Sequence, residues 1–171
     1  FQLTVGAIND PPVLNTIGDR FINEDEILEI TLSATDPEDD SLTFSAESSD
    51  STNVPVSVTG DVLTATPALN WNGTADITVT VDDGNGGTNS ETFQLTVGAV
   101  NDPPEIISSA PLFAEEDVGY VYQVEVSDPD SSSFTYSLTN SPVGMTINAN
   151  GRIAWTPGEG VLTSGEVTVT V

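Results

Sequence analysis

The segment Phe1-Gln2-Leu3-Thr4-Val5-Gly6-Ala7-Ile8-Asn9-Asp10-Pro11-Pro12 returns at residues 93–104 with one change, Ile8 to Val100, so the sequence repeats at 92 residues. A period of that size suits one β-sandwich per repeat, and the 171-residue chain reads as a cut from a longer array. Its register divides the chain. Residues 1–12 are the terminal strand and linker of a preceding repeat, and residues 13–100 are a first sandwich. Residues 101–104 are a second linker, and residues 105–171 are a second sandwich.

Alternating Val, Ile, Leu and Thr predict strands over residues 1–8, 26–34, 41–46, 54–58, 61–66, 74–81 and 90–98. Turn-forming runs separate them: Asp36-Pro37-Glu38-Asp39-Asp40, Gly60-Asp61, Asn70-Trp71-Asn72-Gly73 and Asp82-Asp83-Gly84-Asn85-Gly86-Gly87. No helical stripe of useful length appears. Short strands at this spacing predict an all-β fold of antiparallel, Greek-key sandwiches in tandem. The second unit aligns at an offset of 92 residues in its first half and 90 in its second, where Gly60-Asp61-Val62-Leu63 lies over Asn150-Gly151-Arg152-Ile153 and Val81 over Val171. The second unit is therefore expected to miss its last strand within residues 105–171. Either the sequence continues, or a neighbouring molecule fills the gap, for which residues 1–5 have the right pattern.

The charge balance narrows the function. Twenty-seven acidic residues face two arginines, Arg20 and Arg152, for a net charge of -25, with no lysine, histidine or cysteine. Such a surface repels phosphate backbones, which argues against nucleic acid. Disulfides and thiol chemistry are excluded, and no apolar run reaches the roughly 20 residues of a membrane helix. Histidine, lysine and cysteine, three common catalytic side chains, are missing; two carboxylates could in principle hydrolyse glycosides, but the carboxylates here fall at unit junctions and turns, so an enzyme is not expected. A metal site would have to use oxygen ligands, which favours calcium.

The carboxylates recur in register. The cluster Glu24-Asp25-Glu26 is matched by Glu115-Glu116-Asp117, Asp36-Pro37-Glu38 by Asp128-Pro129-Asp130, and Asn9-Asp10 by Asn101-Asp102, while Asp82-Asp83 precedes a glycine-rich turn. Acidic residues two apart across a proline can present both carboxylates to one ion. Any one of them also reads as a solvated turn cap; the set kept in register across two units favours bound cations.

The Asn-Asp-Pro-Pro linker, Phe21-Ile22-Asn23-Glu24-Asp25, Ala34-Thr35-Asp36-Pro37-Glu38-Asp39 and Val81-Asp82-Asp83-Gly84-Asn85-Gly86-Gly87 resemble bacterial cadherin-like tandem repeats of about 95 residues, as in large secreted or surface adhesins. The second unit, with Pro142-Val143-Gly144-Met145 and Gly151-Arg152-Ile153-Ala154-Trp155-Thr156-Pro157, is more similar to the dystroglycan-type cadherin-like, or Ig-like, variant. The resemblance implies calcium at the junctions. Carried over by position, one set is Glu24, Asn101, Asp102, Asp128 and Asp130. The other is Asn9, Asp10, Asp36, Glu38 and Asp82. Where the family uses an Asp-Arg-Glu segment this chain has Leu69-Asn70-Trp71-Asn72, so one or two ions per junction are expected rather than three.

The expected function is a calcium-stiffened extracellular spacer or adhesion repeat of a secreted or bacterial surface protein. Its partners would be neighbouring repeats of the same chain, or homophilic protein contacts. The alternative is a polysaccharide-binding module using Trp71 or Trp155, which read first as core or edge-packing residues.

Overall fold

In the computed structural model, which describes residues 1–4, 6 and 8–171, the chain divides into two units, residues 1–100 and 101–171. Among the described residues the first unit contains nine strands. They are β1 (Val13–Leu14), β2 (Arg20–Asn23), β3 (Leu28–Thr31), β4 (Ala34–Thr35), β5 (Thr43–Ser48), β6 (Val56–Thr59), β7 (Val62–Ala65), β8 (Gly73–Asp82) and β9 (Thr88–Gly98). One sheet runs β2-β9-β8-β5, a second β3-β7-β6, and β1 pairs with β4.

Between the sheets lies the face that the sequence alternation selects. Ile77, Val79 and Val81 from β8 and Phe93, Leu95 and Val97 from β9 point inward with Leu63, Leu32 and Val54. Each fully buried aliphatic side chain contributes about 1.5–3 kcal/mol over an exposed one. The opposite face of β8 and β9 is polar: Thr78 bonds Thr92 and Thr80 bonds Ser90, both at 2.8 Å. Phe44 and Trp71 pack against the core from partly buried positions.

Two expectations are corrected. The run 26–34 is not one strand: β3 ends at Thr31 and β4 begins at Ala34, because the chain leaves the β3-β7-β6 sheet to pair with β1. The pairs are not all antiparallel: β2 runs parallel to β9, with Arg20 opposite Leu95 and Ile22 opposite Val97. Only Ile22 of β2 is buried, so four residues carried too little alternation to announce a strand. Residues 1–4, 6 and 8 are in no strand; the strand expected over residues 1–8 belongs to a preceding repeat, and its positions 5 and 7 lie outside the described residues.

The second unit repeats the plan with shorter strands: β10 (Glu105–Ile106), β11 (Tyr120–Gln123), β12 (Val126–Ser127), β13 (Ser137–Thr139), β14 (Thr146–Ile147), β15 (Arg152–Trp155) and β16 (Thr168–Thr170). Pairings recur in the same register. Glu105 opposes Ser127 as Val13 opposes Thr35, and Tyr120 opposes Trp155 as Leu28 opposes Ala65. Leu138 opposes Val169 as Ala46 opposes Val79. Its core is smaller, built on Tyr122, Val124 and Ile153, with Tyr136 and Met145 packed against it.

Candidate metal centre

In the first unit the acidic residues gather where the linker enters. After β4 the chain turns sharply at Asp36, whose Oδ1 accepts the backbone N–H of Glu38 at 2.9 Å and of Asp40 at 3.1 Å. Asp39 takes the left-handed conformation, φ 59°, which a short polar side chain tolerates. The turn places carboxylate oxygens of Asp36, Glu38 and Asp40 within 4.8 Å of one another. Glu38 accepts the backbone N–H of Asp10 from the linker at 3.1 Å, and Asp40 accepts the side-chain amide of Asn85 at 2.8 Å. Asp36 Oδ2 is buried and has no hydrogen-bond partner among the described residues. A buried anionic oxygen without a donor is costly unless a cation satisfies it.

The β8–β9 turn closes the other side. Asp83, only 3% exposed, accepts Asn9 Nδ2 at 2.8 Å on Oδ2 and the N–H groups of Asn85 (2.7 Å) and Gly87 (3.0 Å) on Oδ1. The Asn9 bond holds its carboxyl below the usual aspartate range. Burial opposes that shift, and the turn amides of Asn85, Gly87 and Gly86 reinforce it. Residue 87 must be glycine for this geometry: a Cβ there would collide with the Asp83 carboxylate and lie 2.8 Å from Pro11 Cα.

Glu24 sits at the turn between β2 and β3, where the chain switches sheets. Its N–H donates to Gly98 O at 2.8 Å, and its Oε1 accepts the N–H of Val100. The residue is 4% exposed, and its Oε2 is buried with no hydrogen-bond partner among the described residues. The next residue, Asp25, is left-handed (φ 64°) and accepts the N–H of Asn70 at 2.9 Å.

The second unit rebuilds the linker turn. Asp128 Oδ1 accepts the N–H groups of Asp130 (2.8 Å) and Ser131 (2.7 Å), and Asp130 accepts the N–H of Asp102 at 2.6 Å. Asn101 Nδ2 donates to the Asp102 carbonyl at 2.8 Å. These contacts match those of Asp36, Glu38 and Asp10 at the 92-residue offset, so the motif is built twice.

Of the residues singled out in the sequence, Asp36 and Glu38 lie together, with Asn9 and Asp10 bonded into the same end of the unit. Asn101, Asp102, Asp128 and Asp130 are linked by hydrogen bonds in the second unit, without a matching cluster of three carboxylates among the described residues. Asp82 is exposed, with Oδ1 on the N–H of Gly84 at 2.6 Å. The residues that join the first group unannounced are Asp40, Asp83 and Asn85. Asp83 was findable by counting: 77, 79 and 81 face inward, so 83 does and 82 does not. Trp155 is buried, and Trp71 lies over Gly73, whose Cβ position is 2.8 Å from the indole.

Comparison with known proteins agrees with this architecture. Residues 9–96 match the family described as bacterial Ig domain, and residues 103–171 match one described as "Putative Ig domain". Human protocadherin-15 is 33% identical over 136 residues, which are 72% of this chain and 7% of that protein. The chain thus spans a small fraction of that relative's length. Among solved structures, EC1-2 of human protocadherin-24 (form II) aligns at a TM-score of 0.51 with 15% identity, covering 95% of each chain. The human desmocollin-1 ectodomain aligns at 0.51 with 16% identity, covering 94% of this chain and 37% of that one. At these identities the likeness is one of fold. The chain belongs to the bacterial Ig-domain family as a tandem Ig-like, cadherin-like repeat module.

Proposed function

We propose that this chain is part of an extracellular rod of Ig-type repeats that calcium stiffens, a spacer and adhesion element of a bacterial surface or secreted protein. The observation that carries the reading is the convergence of Asp36, Glu38 and Asp40 within 4.8 Å beside the linker residue Asp10, in a chain with two arginines and no lysine or histidine. The donor set fits a hard cation: all oxygen, mostly anionic, with a buried Asp36 oxygen and a buried Glu24 oxygen lacking hydrogen-bond donors among the described residues. Calcium, when bound, would supply the positive charge that these carboxylates lack. Asp36, Glu38 and Asp40 would hold it in the first unit with the linker residues Asn9 and Asp10. Asn101, Asp102, Asp128 and Asp130 would do so in the second, and Glu24 offers a further carboxylate. Asp83 is then a positioning residue, since hydrogen bonds already occupy both its oxygens and fix Asn9; the exposed Asp82 has the weaker claim.

The parallel with the dystroglycan-type variant in the second unit rests on the Gly144-Met145 and Gly151–Pro157 motifs alone. A polysaccharide platform has less support, because Trp155 is buried and Trp71 covers Gly73.

Calorimetric titration of calcium into chelator-treated protein tests the reading. Binding at about 10⁻⁴–10⁻³ M is expected, with a rise in the thermal midpoint. Occupancy at 100 times the dissociation constant adds about 2.7 kcal/mol per site. Asp36→Asn with Asp40→Asn should weaken the first unit's site. No heat and an unmoved midpoint in millimolar calcium would end the proposal. Scattering profiles identical in calcium and chelator would remove its stiffening half.

A further inference from the structure

The β8–β9 turn runs Gly84-Asn85-Gly86-Gly87, and its Asn-Gly pair carries a chemistry that cation binding does not use. The backbone nitrogen after an asparagine can attack the side-chain carbonyl carbon. A C–N bond forms to give a succinimide ring, and the bond to the side-chain amide nitrogen breaks. That nitrogen leaves as ammonia, carrying the proton lost by the attacking amide. Water then opens the ring to aspartate or isoaspartate, so a neutral amide becomes a carboxylate. The attack is intramolecular, so its rate follows how freely the chain brings nitrogen to carbon. A following glycine, without a Cβ, leaves that approach least hindered.

The chain has three Asn-Gly pairs, and the fold separates them. At Asn72-Gly73 the glycine lies in β8 opposite Val97, with its Cβ position 2.8 Å from the Trp71 indole. At Asn150-Gly151 the Gly151 N–H donates to the Asn148 carbonyl at 3.0 Å, and the glycine is buried under Tyr136. Ladder pairing holds the first of these backbones and the hydrogen bond holds the second. Asn85 and Gly86 are both exposed and in no strand, and nothing lies within 4 Å of the Gly86 Cβ position. Gly86 has φ 104°, a conformation open to glycine. Its N–H faces the Asp83 carboxylate, an acceptor at hand for the proton. The leaving group is placed as well. Asn85 Nδ2 donates to Asp40 Oδ2 at 2.8 Å, and that carboxylate favours the positive charge that grows on the departing nitrogen.

We propose that Asn85-Gly86 is a self-modification site: it deamidates ahead of Asn72 and Asn150 and sets a new carboxylate against Asp40. The group that now donates to Asp40 becomes an anion, and like charges at that separation repel. Without a cation the turn loses stability. With calcium bound, the oxygen set of Asp36, Glu38 and Asp40 gains a further anionic ligand beside it. This last consequence rests on the calcium reading; the site of reaction and the loss of stability do not.

Ageing the 171-residue protein in warm neutral buffer with chelator, followed by peptide mass spectrometry, tests the site. Conversion at Asn85 should run about tenfold ahead of Asn72 and Asn150, a ratio equal to about 1.4 kcal/mol of barrier. In denaturant the three rates should converge. Equal rates in the folded protein, or earlier conversion at Asn72 or Asn150, overturn the proposal. Asn85→Asp tests the consequence without ageing. Its thermal midpoint in chelator should fall below the parent's, and its calcium dissociation constant should fall severalfold. Asn85→Ser, which removes the amide without adding charge, should lower the midpoint less. An unmoved midpoint for Asn85→Asp, or an equal fall for Asn85→Ser, overturns the repulsion at Asp40. A parent protein that binds no calcium ends the calcium reading, while selective conversion at Asn85 and the lower midpoint in chelator would still uphold this one.

Discussion

Asn9 and Asp83 lie 74 positions apart, and one 2.8 Å bond joins them. That bond is the first cause of the depressed Asp83 acidity, and it ties the linker to the β8–β9 turn. A carboxyl whose folded-state pKa is lowered stabilises the fold above its unfolded value, about 3.9 for aspartate, and loses that contribution as pH falls through the folded value. Asn9→Ala should therefore lower the thermal midpoint at neutral pH, and the gap from the parent should shrink below about pH 4. A melting series into acid measures it, and a gap that widened on acidification would contradict the assignment. Glycine is demanded locally by the same contact, because at Gly87 any Cβ meets the Asp83 carboxylate.

At the scale of the element, β9 joins β2 to β8, and Leu95 is wholly buried between them. Leu95→Ala should destabilise the first unit by about 2–5 kcal/mol, the range for emptied core positions. Leu69→Ala, at an exposed position, should stay within about 0.5 kcal/mol of the parent. Denaturant unfolding of both variants gives the comparison, and equal losses would show that β9 does not hold the core together.

Across the whole molecule the dominant fact is a net charge of -25 with two arginines to set against it. Arg20 directs its Nη1 to the carbonyls of Gly18 and Asp19 and does not relieve the acidic turns. Self-repulsion then works against the compact state. Sodium chloride should raise the thermal midpoint as the screening length falls to about 8 Å at physiological ionic strength. Calcium at matched ionic strength should raise it further, because bound ions act at the carboxylates themselves. A midpoint indifferent to sodium chloride would show that the carboxylates are too dispersed for repulsion to matter.

The sequence alone determined the repeat, the all-β architecture, the strands with long alternation and the oxygen-only chemistry of any cation site. Each of these is a local or periodic property, carried by residues near one another in the chain. The positions of the acidic groups were half legible. The Asp36-Pro37-Glu38 turn could be read because its hydrogen bonds are short-range, and parity along β8 could have chosen Asp83 over Asp82. The tertiary structure decided the rest: the parallel pairing of β2 with β9, the Asn9–Asp83 bond, the approach of Asn85 to Asp40, and the burial of Glu24. Those depend on which strand edges meet across separations of 45 to 76 residues. Packing of two sheets fixes such meetings, and no local pattern encodes them.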